Sequence, residues 1–200
     1  MPRTITDFKV GDATYQIQQY PASTGIKFLA QVQDHLNDFL THYQTQNYML
    51  ALDAMTAEGI GTLEEVFEMF LSQVTRDGRK LDFDSEFPGQ YDKLLVLIYN
   101  VIQHNYGFFF QDRKRFQVPV TPDSYPTSTS MKIGAAFESY SHHPLVFSVL
   151  TSERQLATYN DLCTIYNTED LLFLSETLEL HTHIQNIHHA QAMADAKSNK

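Results

Sequence analysis

Nine histidines are the residues of this sequence best suited to chemistry, and their spacing argues against it. His181, His183, His188 and His189 cluster towards the C-terminus, and His142-His143 form a pair. Two imidazoles that share a metal on a helix stand three or four residues apart, so that both rings leave one face. His181 to His183 and His188 to His189 miss that spacing. Only long combinations, such as His181 with His188 two turns apart, keep one face, and the nearest carboxylate on a plausible face is Glu179. The pattern reads instead as imidazoles on the exposed side of a helix near its C-terminal end, where a positive ring suits the helix dipole. Cys163 is the sole cysteine, so no intramolecular disulfide can form and a reducing compartment is expected. It lies in the apolar run Leu162-Cys163-Thr164-Ile165, the setting of a buried thiol rather than of a nucleophile. No Gly-x-Ser-x-Gly turn exists, and Gly59-Ile60-Gly61 lacks the third glycine, the lysine and the preceding strand of a phosphate loop. Glu64-Glu65 and Asp82 with Asp84 are accounted for as cap and turn residues. The expectation is a protein with no catalytic residues, no metal and no cofactor, and therefore not an enzyme.

What stands out instead is aromatic. Phe108, Phe109 and Phe110 follow Asn105-Tyr106-Gly107 and precede a polar stretch. Either they plug the end of a core, or part of this surface is a groove for an amphipathic helix of a partner. On the second reading the candidate partner-binding residues are Phe67, Phe70, Tyr106, Phe108, Phe109 and Phe110.

The elements that must position these residues are mostly helical. Phe8-Lys9-Val10 and Tyr15-Gln16-Ile17-Gln18 alternate apolar with polar around Gly11-Asp12, which predicts an N-terminal β-hairpin. Ala22 to Leu40 has helical spacing, with Ser23 or Thr24 as candidate cap. A weaker helical pattern covers Tyr43 to Ala57. Thr62-Leu63-Glu64-Glu65 is a capping box, followed by a stripe of Leu63, Val66, Phe67, Phe70, Leu71 and Val74. Asp77-Gly78 predicts a turn, and Pro88 is placed to open a central helix from Gln90 to about His104. Further helical pieces are expected at Lys132–Tyr140, Leu145–Leu150 and Gln155–Tyr166. A last helix, capped at Asn167 or Thr168, carries Leu171, Leu172, Leu174, Leu178, Ile184 and Ile187 before fading into Ala190–Ala194, with a frayed end at Lys197–Lys200. The expected class is mainly α with a short N-terminal β-hairpin (α+β), a helical domain followed by a smaller helical C-terminal extension. Residues 1–112 would form the first domain, 113–130 a Pro-, Ser- and Thr-rich linker or long loop, and 131–196 the extension.

Composition narrows the partners. The 24 acidic residues exceed the 14 basic ones, for a formal charge of −10. The excess is spread evenly, −5 in residues 1–115 and −5 in 116–200, and the short basic run Arg113-Lys114-Arg115 reads as a solvated loop. Nucleic acid is an unfavourable partner, because its affinity comes from neutralised phosphates. No apolar run approaches the length of a membrane helix, and Met1–Asp7 lacks the apolar centre of a signal peptide, so a cytosolic protein is expected.

The order of segments resembles the tail assembly chaperones of tailed bacteriophages. Phe8–Ile17 followed by Tyr20-Pro21-Ala22-Ser23-Thr24-Gly25 looks like that family's hairpin, Pro-Ala step and helix. Leu81–Tyr91 is similar to its Asp-x-x-Phe-x-Gly lead-in to a long helix, and Asn105-Tyr106-Gly107-Phe108-Phe109 to that helix's ending. Tyr159–Leu162 and Tyr166–Asp170 look like the C-terminal extension of the family's longer forms, with Asn167-Thr168 in place of the usual serine. The resemblance implies a helper made in the infected bacterium that binds the tape measure protein and keeps it soluble. It further implies possible contact with the tail tube protein, possible self-association, and absence from the mature virion. Short and frameshift-extended forms occur in such families, and Phe108–Phe110 lies where a short form would stop. A structural tail or baseplate component is the alternative reading.

Overall fold

A computed structural model describes residues 3–56, 62–110 and 141–198. The expected linker at 113–130, the Arg113–Arg115 run, the helix at Lys132–Tyr140 and the Gly59–Gly61 segment lie outside the described residues.

The N-terminal hairpin forms as the alternation requires. Strands β1 (Ile5–Val10) and β2 (Ala13–Gln18) are antiparallel, with Val10 opposite Ala13 across the Gly11-Asp12 turn. Gly11 takes φ +60°, a conformation that a residue without Cβ adopts at no steric cost. The sheet does not stop there. β3 (Val74–Arg76) pairs with β2, and β4 (Arg79–Lys80) pairs with β3, giving the order β1-β2-β3-β4. Val74, expected on a helical stripe, is therefore a strand residue facing the same core. Asp77 and Gly78 both have positive φ, +51° and +74°, the backbone of a tight two-residue hairpin turn.

Helix α1 runs over Ala22–Gln44, beyond the expected Leu40. Neither Ser23 nor Thr24 caps it. Pro21 stands at the N-cap, and the Ala22 N–H donates to the Tyr166 carbonyl at 2.8 Å. Gln46, at φ +59°, separates α1 from α2 (Tyr48–Met55), which packs against it. α3 (Leu63–Leu71) begins with the expected box: Glu65 N–H donates to Thr62 Oγ1, and Thr62 N–H to Glu65 Oε2. α4 (Phe83–Glu86) is a single turn. Pro88 does not open the central helix, because Gly89 at φ +68° turns the chain and α5 (Tyr91–Tyr106) starts after it. A 3-10 turn, Gly107–Phe110, closes this part.

Beyond residue 140 come α6 (Pro144–Leu150), α7 (Tyr159–Thr164) and α8 (Thr168–Ser198). α7 is shorter than the expected Gln155–Tyr166, since Gln155 has φ +47° and Thr158 caps the helix in a box with Asp161. Asn167 rather than Thr168 caps α8, in a reciprocal pair with Asp170. α8 continues to Ser198, so the histidines at 181–189 stand well before its last turn, and the dipole rationale for them does not apply.

Two apolar cores result among the described residues. The main one joins the sheet to α1, α2, α3 and α5, with Ile17, Phe39, Met55, Phe67, Leu97 and Ile98 almost wholly buried. The second gathers Val146, Val149, Leu162 and Leu171 onto Ala22 and Ile26 at the start of α1. A polar clasp seals the same junction. Arg3 Nη1 donates to the Gln19 carbonyl (2.9 Å) and its Nε to the Thr164 carbonyl (3.2 Å). Asn167 Nδ2 donates to Gln19 Oε1 (2.8 Å). α1 and α8 meet closely at Gly25, where a Cβ would lie 2.0 Å from Thr168 Oγ1. The molecule is mainly α with a β part at its N-terminal end, and the sheet exceeds the expected hairpin by two short strands.

Candidate functional site

The aromatic residues singled out in the sequence fall into two sets. Phe67, Phe70 and Tyr106 are buried in the main core and present no surface in this conformation. Their positions follow from helix period: Phe67 and Phe70 on α3 face inward with Val66 and Leu71, and Tyr106 ends the inward stripe of α5. Tyr20 ties them together. Its hydroxyl donates to the Phe70 carbonyl at 2.6 Å, and its ring lies 6.1 Å from that of Tyr106. The Tyr106 hydroxyl donates to the Gly25 carbonyl at 2.9 Å. Burial pushes both phenols far above their ordinary range, so they act as fixed neutral donors.

Phe108 and Phe109 sit at the rim. Their rings are 4.3 Å apart; Phe108 is nearly buried and Phe109 half-buried against the main core. Phe110 ends the same 3-10 turn, its side chain outside the described residues. Phe108 and Phe109 thus close against the end of the main core rather than standing free of it.

A wider apolar surface lies elsewhere, between α6 and α8. His143 caps α6 through Nδ1, which accepts from the Leu145 N–H at 3.2 Å, and Pro144 occupies the first turn, where its missing N–H costs nothing. Burial holds the His143 imidazole below its usual pKa, which keeps Nδ1 free to accept. Val146 and Val149 turn into the second core, while Leu145 and Phe147 face a groove of about 770 Å³ completed by Ser175, Leu178 and Thr182 of α8. Arg154 and Glu179 lie on its rim, and Arg154 Nη2 is 3.1 Å from His181 Nε2. Phe147 is 41% exposed. The lining sets Pro144, Leu145, Phe147 and Leu178 among hydroxyl, amide, imidazole and charged side chains, a mixture that one face of an amphipathic helix can match. The sequence held a signal for it: Pro144-Leu145-Val146-Phe147-Ser148-Val149-Leu150 carries more apolar side chains than one inward face needs.

Among the described residues no group of three or more His, Cys, Asp or Glu side chains is placed to hold a metal ion. Cys163 is half-buried, its Sγ 3.4 Å from Ser23 Oγ. No described helix is long and apolar enough to cross a membrane.

The described residues combine a closed main core with an apolar-lined groove between two helices of the second region. The chain belongs to the phage tail assembly chaperone family: the model described as "Phage tail assembly chaperone protein, TAC" matches residues 11–117. Comparison with curated proteins and with solved structures gave no match. The matched span contains the Leu81–Tyr91 lead-in and the Asn105–Phe109 ending, and stops before α6. Membership gives the chain a chaperone role in tail assembly.

Proposed function

We propose that this chaperone binds the tape measure protein, holds it soluble in the cytosol of the infected bacterium and hands it to the growing tail tube, leaving before the virion is complete. Family membership joined to the apolar groove between α6 and α8 supports this reading. A tape measure protein exposes long apolar helical stripes until a tube encloses it, and a groove with an apolar floor covers such a stripe piecewise. An acidic exterior, −10 over the chain, keeps the complex dispersed. Several copies along one client would gain by avidity what each site lacks in affinity. Without a nucleotide motif in the sequence, release falls to competition by tail tube subunits. The outer edge of Phe108 and Phe109 is a second, separate part of the proposed contact surface.

The test is co-expression with the tape measure protein encoded beside it, measuring the soluble fraction of the client. Rescue with a co-purifying complex is expected, and Phe147→Ser should lower client recovery several-fold while leaving the helical signal of the chaperone unchanged. No rescue, together with recovery of this protein from purified virions, would overturn the reading in favour of a structural tail component.

A further inference from the structure

α8 carries apolar residues on two opposite faces. One face, through Leu171, Ser175 and Leu178, packs on the second core and the groove. The other runs through Phe173, Thr177, Leu180, Ile184, Ile187 and Gln191, spaced alternately by four and three residues. That 3.5-residue period is the signature of a helix that packs along another helix rather than onto a globular body. Phe173, Leu180, Ile184 and Ile187 are 54%, 40%, 43% and 52% exposed. Thr177 brings no open donor to the seam, since its hydroxyl donates to the Phe173 carbonyl at 2.8 Å. From Ile184 to Met193 the helix is exposed on every side. A helix of about a dozen residues without tertiary support is marginal in water, so this segment needs a neighbour.

We propose that this face of α8 pairs with the same face of a second copy of the chain as a two-stranded coiled coil. Charge favours that occupant. The chain as a whole repels itself, yet between residues 173 and 191 α8 has no lysine or arginine and only two carboxylates, Glu176 and Glu179. Glu179 turns to the groove, the other positions beside the seam are Leu174, His181, His183, His188 and Ala190, and one cation, Arg154, reaches His181 from the groove side. Two copies meet here with little like-charge cost, and nothing in the seam selects a charged partner. Burying the seam on both copies removes on the order of 1,000 Å² from water, the lower bound of a specific interface. The groove lies on the opposite face of α8, so pairing leaves it open, and the inference does not depend on the client being a tape measure protein.

Sedimentation velocity on the full chain alone, over a wide concentration range, tests the proposal. A mass rising to twice the monomer is expected. Ile184→Asp with Ile187→Asp should raise the dissociation constant by at least about a hundredfold, whereas Ile184→Leu with Ile187→Leu and Phe147→Ser should keep the dimer. Amide exchange over 184–198 should slow as the dimer fills. A monomer at every concentration, or a dimer indifferent to the aspartates, would overturn the proposal. A monomer whose aspartate variant loses the client would assign the seam to a client helix instead.

Discussion

The main core and the second core differ in how their polar groups are settled. In the main core each buried phenol and amide described above has a partner. Tyr20 bonds the Phe70 carbonyl, and Tyr106 the Gly25 carbonyl. Asn105 accepts from the Tyr20 N–H at 2.7 Å and donates to the Val101 carbonyl at 3.0 Å. In the second core the buried Thr168 Oγ1 has no hydrogen-bond partner among the described residues, and the apolar contacts come from a few aliphatic side chains. A fully satisfied network specifies one arrangement, while a region with fewer buried side chains and an orphaned hydroxyl opens at lower free energy. The proposed groove and the proposed seam both lie on the second, less tightly specified region.

The largest effect should come from emptying each core in turn. Phe70→Ala should cost about 3–5 kcal/mol in denaturant unfolding and abolish the whole transition. Leu162→Ala, of similar cost at about 2–5 kcal/mol, should release amide protection over 144–198 first and leave the sheet protected. If both variants lost protection uniformly, the two regions would be one cooperative unit. A smaller effect is expected at their contact. Gly25→Ala places a Cβ 2.0 Å from Thr168 Oγ1 and should cost about 1–3 kcal/mol. Thr168→Ala alone removes an unsatisfied hydroxyl and should be neutral or stabilising, and the double variant should recover most of the loss by thermal melting. Recovery would show that this one contact sets how closely α1 and α8 approach.

The smallest effect is that of pH, and each region has its own reporter. His104, half-buried beside Phe8 and the Thr4 carbonyl, and His143, capping α6, are both held below the usual imidazole pKa, chiefly by burial. The unfolded chain therefore takes up these protons first as pH falls. Stability is whole above an unfolded pKa of about 6.5 and declines as pH drops through the lower folded values. Melting should be lower near pH 5 than at neutral pH. His143→Asn, which preserves a cap without titrating, should remove the part of that loss seen in α6 and leave the His104 part.

Long periodic segments were legible in the sequence, and short ones set by distant contacts were not. α1, α3, α5 and α8 appear in the apolar spacing, and Thr62 with Glu65 announced its own cap. β3 and β4 escaped because three and two residues show no alternation, and Val74 continues the spacing of α3 while serving a strand. The start of α1 departs from its local cap signal for another reason: its first N–H is met by Tyr166, 144 residues later, and no local cap is required. Of the candidate surface, the run Phe108–Phe110 was visible, but its burial depends on how α5 ends against the core. The groove needs α6 and α8 side by side, which no local pattern records.

That long-range bond at Ala22 has a consequence for the order of synthesis. By the time residue 110 leaves the ribosome, all four strands and the helices that fill the main core exist. The first turn of α1 still holds an unanswered N–H, Arg3 still lacks the Thr164 carbonyl, and Ala22 and Ile26 remain uncovered. More than fifty further residues must emerge before Tyr166 arrives to close that end. During this interval the nascent chain displays an apolar patch beside a finished body, and the arrival of α6, α7 and the start of α8 decides when it disappears.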